Sequence, residues 1–170
     1  MDISDEIFDV VDASDSVIGR ESRRRIHARR LRHRAAHILV FNRRGELFLQ
    51  KRSMTKDSCP GLWDSSAAGH VDSGESYDDC ARRELAEELG LEPDAAPLRL
   101  FKLAACARTG EEFVWVYRVC AEGPFVLNAL EIETGAWFTP AELSAWIGDR
   151  PDELSPIFRM IWSKLRACGS

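Results

Sequence analysis

Three carboxylates set the first chemical expectation: Glu84, Glu87 and Glu88 stand at i, i+3 and i+4 in the run ARRELAEELG. On a helix that spacing puts them on one face, where like charges repel. A hard divalent cation held by oxygen ligands, magnesium or manganese, would resolve the repulsion. Glu75 precedes the run and Gly69 ends a stretch of small residues, so a loop from strand to helix would bring both near that cation. Arg83 stands one residue before Glu84 and one turn before Glu87, within reach to pair with a carboxylate and hold its rotamer. An isolated ELAEEL would read equally well as a solvated acidic face. The surrounding segment decides between the two.

Those residues need a strand, a loop and a helix to carry them. From Ser76 to Leu89, Tyr77, Cys80, Ala81, Leu85 and Leu89 recur at three- and four-residue steps, which predicts a helix, and Gly90 is placed to end it as a left-handed cap. A short strand over Asp64 to Gly69 and a loop over His70 to Glu75 lead into it. Upstream, AAHILVF and ELFLQKR flank Asn42-Arg43-Arg44-Gly45, the strongest hairpin signal in the chain. Another hairpin is predicted around Ala13 to Ser16, followed by a basic stretch from Glu21 to Arg34. The loop Ser53 to Trp63 carries the turn marker Pro60-Gly61. Downstream, LRLFKLAACAR and EFVWVYRVC read as strands about the Thr109-Gly110 turn, and TGAWF as one more. Pro140 opens a helix, AELSAWIG, where proline fits best, and SPIFRMIWSKLRA closes the chain as an amphipathic helix. The pattern predicts an α+β fold, a mixed or mostly antiparallel sheet with helices packed on it. Strict βαβα alternation is absent, which argues against a dinucleotide-binding doubly wound sheet.

Bulk properties exclude several classes. The chain has 170 residues, 45% of them hydrophobic and 30% charged, which fits one globular domain. A net charge of -5 does not suit a protein built to coat nucleic acid. No apolar run approaches the ~20 residues that span a bilayer. The N-terminus MDISDEIFDV is acidic where a signal peptide would be positive, which predicts a cytoplasmic protein. Five cysteines without any CxxC spacing argue against a disulfide framework and a cysteine zinc site.

The whole segment GHVDSGESYDDCARRELAEELGL resembles the Nudix box, G-x5-E-x7-R-E-U-x-E-E-x-G-U with U a bulky aliphatic residue. Every fixed position matches: Gly69, Glu75, Arg83, Glu84, Leu85, Glu87, Glu88, Gly90 and Leu91. Resemblance to the Nudix hydrolases implies a loop–helix–loop site on an α/β/α sandwich with a mixed sheet. It implies magnesium or manganese as cofactor and a nucleoside diphosphate linked to another group as substrate. Glu84, Glu87 and Glu88 would then ligate the metal with the backbone carbonyl of Gly69. Glu84 would be the general base within the box, with Arg83 and Glu75 assisting. On this reading residues 1–170 form one Nudix domain, with 1–30 an N-terminal extension holding the first hairpin and the basic segment.

Upstream of the box, HRAAHILVFNRRGELFLQKRSMTKDSCPGLWDSSAAGH is similar to the corresponding stretch of isopentenyl-diphosphate isomerase, which shares the Nudix fold. The isomerase needs a cysteine just before the Gly-His pair, and here that residue is Ala68. A methyl group cannot replace a thiolate in proton transfer to an alkene. The expectation is therefore an isomerase-like branch of Nudix hydrolases. The resemblance also matches His33 and His70 to positions that bind a structural divalent metal, with Glu112 a third candidate and His27 near the right spacing. Hydrogen-bonded histidines are the alternative.

Further candidates lie outside the box. Glu112 and Glu131 could each supply a base, against the plainer reading of surface residues. Lys51 and Arg52, and after them Lys56 and Arg82, could grip substrate phosphates, or be ordinary surface cations. Trp63 in the PGLW loop and His70 could face the substrate, whereas the other tryptophans fall at core positions. The basic stretch could bind RNA, solvate a helix or meet a second copy in a homodimer. The absence of interleaved aromatics argues against nucleic acid. The expected activity is a pyrophosphohydrolase acting on a small diphosphate substrate by metal-activated water. The alternatives are isomerase-like activity and a non-catalytic nucleotide or RNA sensor.

Overall fold

A computed structural model describes residues 6–168; the first five residues of the acidic N-terminus lie outside the described part. The chain opens with an antiparallel hairpin, β1 (Ile7–Val11) and β2 (Val17–Ser22), and a short helix α1 (Arg23–Arg29). The turn falls where the sequence predicts it, with Asp15 taking the left-handed conformation. Phe8, Val10 and Ile26 form a small apolar cluster between hairpin and helix.

Among the described residues the main sheet has seven strands. Its core is β3 (His33–Phe41), which pairs in parallel with β8 (Glu112–Cys120) and antiparallel with β4 (Leu47–Arg52) and β6 (Ala67–His70). Strand β5 (Trp63–Asp64) and β9 (Ile132–Phe138) both pair with β4, and β7 (Leu98–Leu103) pairs with β8. The nearly unbroken apolar run of β3 follows from its place between two covered faces. Ala36, Ile38 and Val40 face the box helix α2 (Tyr77–Leu89), while Ala35, Leu39 and Phe41 face α3 (Pro140–Asp149) and α4 (Pro156–Cys168). A mixed sheet between helical layers is the predicted sandwich.

Two predicted strands change shape. Asp64 to Gly69 splits into β5 and β6, because Ser65 and Ser66 bond through their side chains: the hydroxyl of Ser66 donates to the Phe48 carbonyl and accepts from the Val40 N–H. The strand expected over residues 98–108 stops at Leu103. A 3-10 turn follows at Ala107–Thr109, where the Thr109 hydroxyl accepts from the Cys106 N–H. The basic stretch is divided among β2, α1 and β3. Many of its charges are paired within the chain: Arg23 with Glu6 and Asp57, Arg25 and Arg29 with Glu21, Arg30 with Glu111, and Arg34 with Asp15. No helix among the described residues is long and apolar enough to cross a membrane.

Candidate active site

Helix α2 begins at Ser76, whose side chain accepts from the Asp79 N–H, and ends at Gly90 with φ of 60°, as the sequence predicts. Its buried face carries Tyr77, Cys80, Ala81, Leu85 and Leu89, and with them Glu84 and Glu88. The three box glutamates therefore divide. Glu84 and Glu88, one turn apart, point at the sheet with 8% and 4% exposure, while Glu87 stands on the solvent flank.

Each buried carboxylate is held by specific donors. Arg83 Nη1 donates to Glu84 Oε1 at 2.6 Å and reaches Glu87 Oε2 at 3.3 Å. Its Nε and Nη2 grip both oxygens of Glu75 at 2.9 Å, and Nη2 also donates to the His70 carbonyl at 3.0 Å. Glu88 Oε2 accepts from Gln50 Nε2 at 2.8 Å and from the Ala68 N–H at 3.0 Å. Burial is the main force pushing both carboxyls well above the usual range. For Glu88 the neighbouring Glu84 adds to it; for Glu84, Arg83 opposes the rise while Glu87 adds to it.

Gly69 supplies the space. A Cβ built there would lie 1.9 Å from Glu84 Oε1, so only glycine lets the β6 backbone meet that carboxylate. Two buried carboxylates, a flanking third and the backbone carbonyl of Gly69 at the end of β6 offer an all-oxygen donor set that fits a hard divalent cation.

The candidates outside the box scatter. Glu131 pairs with Lys56, and Lys56 is close enough to favour the charged form of Glu88, so this pair borders the carboxylates. Glu112 does not join them: its Oε1 lies 3.1 Å from His70 Nε2 and 3.4 Å from His33 Nε2. The ring nitrogens of His27, His33 and His70 come within 4.8 Å of one another, and His33 Nε2 is buried without a hydrogen bond. Burial pushes the His70 imidazole down to about 4, and the two histidines outweigh burial to hold Glu112 far below the carboxylate range.

Three expected substrate contacts lie away from the box carboxylates. Trp63 turns to the opposite layer, edge-on to Phe138 and Trp146 at 5.4 and 5.6 Å, and packs with α3 rather than the box. Lys51 has the parity of Leu47 and Leu49, away from α2, and pairs with Glu133. His70 is turned into the histidine cluster and stacks on Phe8 at 4.8 Å. Arg52 has the parity of Gln50 but is engaged by buried Asp64 at 3.5 Å and by the Ser58 carbonyl at 3.0 Å. Gln50 is the anchor that residue chemistry missed. Its signal was a polar side chain on the same face of β4 as Phe48.

Fold and carboxylate helix together define a hydrolase acting on diphosphate bonds. The chain belongs to the NUDIX domain family, whose model matches residues 31–159. It is 39% identical over 155 residues to an uncharacterized Nudix hydrolase of Yersinia pestis, covering 89% of this chain and 80% of that one. It is also 36% identical over 176 residues to one of Streptomyces coelicolor, covering 100% and 97%. The crystal structure of DR0079 from Deinococcus radiodurans has 31% identity and a TM-score of 0.76 over 85% of this chain and 90% of that one. These relatives lend no support to the isomerase branch suggested by the upstream stretch.

Proposed function

We propose that this Nudix hydrolase cleaves the diphosphate linkage of a nucleoside diphosphate joined to a second group, with a magnesium or manganese ion at the box. One observation carries the reading: Glu84 and Glu88 are buried side by side, and at Gly69 any side chain would displace the Glu84 carboxylate. Carboxylates that close in a dry site are neutralised by a proton or by a cation between them, and a cation lets all of them stay ionised. When bound, the ion would neutralise diphosphate oxygens and acidify water. Glu84, Glu87, Glu88 and the Gly69 carbonyl would hold it. Arg83, locked by Glu75, fixes Glu84 and Glu87, while Gln50 and Ala68 fix Glu88. Glu84 takes the proton from attacking water, or Glu131 does so from the rim, where Lys56 offers its charge to the departing phosphate. A sensor without catalysis would have no use for this full set of oriented carboxylates.

A panel of nucleoside diphosphate derivatives, assayed for released phosphate or nucleotide with and without chelator, tests the reading. ADP-ribose heads the panel, because the NUDIX domain of Shewanella oneidensis NrtR, which shares the fold, was crystallised with ADP ribose. Turnover that persists in chelator would refute the metal assignment.

The histidines support a second reading, a divalent transition ion held by His27, His33 and His70 beside Glu112. Its support is the convergence of three ring nitrogens and the bare Nε2 of His33. Metal analysis of purified protein should find such an ion in the wild type and none after His33→Ala.

A further inference from the structure

The family match begins at residue 31, so β1, β2 and α1 lie outside it. We propose that this N-terminal hairpin is the clamp that positions the box loop, with Asp9 as its positioning residue. The inference rests on the box being the working site, and adds the element that holds it.

The contacts run along the whole loop. Phe8 of β1 bridges to Asp72, and the Ser73 N–H donates to the Ile7 carbonyl at 2.9 Å, so the loop extends the edge of the hairpin. Between them sits Asp9, 7% exposed. Its Oδ1 accepts from the Ser73 hydroxyl at 2.7 Å and its Oδ2 from the Gly74 N–H at 3.1 Å. Arg20, opposite Asp9 on β2, reaches Oδ1 at 3.4 Å. Gly74 has φ of +82°, a conformation that this double grip on one carboxylate can hold in place.

From the clamped turn the restraint passes to the carboxylates. The Glu75 N–H donates to the Asp72 carbonyl and the Asp72 N–H to Glu75 Oε2, each at 3.0 Å, which ties Glu75 to the turn. Glu75 in turn takes two donors of Arg83, and Arg83 orients Glu84 and Glu87. Asp9 is thus separated from Glu84 by the box turn and two side chains, Glu75 and Arg83, and each side-chain link in the path is a hydrogen bond to a charged group. The hairpin can bear the strain because it is itself anchored, by the Val11 N–H to the Arg32 carbonyl at 2.9 Å and by Val11 in the core beneath α2.

The test compares Asp9→Leu, Asp9→Asn and wild type by backbone amide exchange and by Mn2+ titration followed by electron paramagnetic resonance. The box is taken as the Mn2+ component that Glu88→Gln removes. Asp9→Leu, folded by its melt, should exchange the Gly74 amide at least about fivefold faster, one lost hydrogen bond converted to a rate. Its box affinity for Mn2+ should fall about tenfold, as for other outer-shell partners. Asp9→Asn should stay within about twofold, because its amide oxygen can accept from Gly74 while the Ser73 hydroxyl turns to accept from its NH2. Unchanged Gly74 exchange, or unchanged Mn2+ affinity, in folded Asp9→Leu overturns the clamp. If Asp9→Leu does not fold, Ser73→Ala decides, with a fall of about threefold in box affinity expected from loss of one arm and no change overturning the proposal. A wild-type box that binds no Mn2+ would sink the metal reading alone, since exchange at Gly74 still judges the clamp.

Discussion

Replacing Glu88 by Gln separates stability from function more sharply than any other single change. The glutamine amide oxygen can accept from both Gln50 Nε2 and the Ala68 N–H, so the packing and both hydrogen bonds survive. Only the charge is lost. In the metal-free protein that charge is a burden, because burial and Glu84 raise the folded pKa of Glu88 above its ordinary 4.5. The sign follows directly. A carboxylate with a raised folded pKa binds more protons folded than unfolded, so stability falls as pH rises from about 4.5 into the weakly alkaline range. Each tenfold rise in proton affinity is worth about 1.4 kcal/mol, and a gain of about 1 to 3 kcal/mol at pH 8 is expected from Glu88→Gln. For a chain of this size that corresponds to a Tm increase of roughly 3 to 10 °C. Melts across pH with chelator present should show the variant above wild type at pH 8 and level with it near pH 4.5. With magnesium the order should reverse: wild type gains Tm, the variant does not, and its kcat falls at least about 100-fold. A variant less stable than wild type in chelator, or one that keeps its magnesium-dependent gain, would refute the reasoning.

Other expectations follow from the same geometry. Gly69→Ala forces a methyl group into the Glu84 carboxylate, and calorimetry should find magnesium binding reduced at least about tenfold while the protein remains folded. Trp63→Ala should cost about 2 to 4 kcal/mol in urea unfolding through loss of its contacts with Phe138 and Trp146, and leave KM unchanged; a raised KM would return Trp63 to the substrate pocket. Magnesium and manganese should support turnover and calcium should bind with little turnover, as rates across the three ions will show. Isopentenyl diphosphate should yield no dimethylallyl isomer, because Ala68 offers the site a backbone N–H and no thiol; product analysis against a Glu84→Gln control checks this.

The spacing of the box residues makes much of the site legible in the sequence alone. Positions three and four apart on a helix encode its buried face, its cap and the proximity of its carboxylates, and these are local properties of the chain. The hairpin at Asn42 to Gly45 and the ends of α2 fall where turn and cap chemistry place them. What stays hidden depends on partners far apart in sequence. Gln50 meets Glu88 only because β4 and β6 pair with the same edge of β3 beneath α2, and Asp9 meets Gly74 only because the hairpin edge abuts the box loop. The parallel pairing of β3 with β8 sets His33 beside Glu112, which draws that carboxylate to the histidines and away from the box. Strand parity gives Trp63 to the far side of the sheet, although it stands shortly before the box in the chain, and turns Lys51 the same way as Leu47 and Leu49. Nearness along the sequence predicts contact within one turn of helix; across a sheet, the face of the strand decides, and that is set only when the strands have found their order.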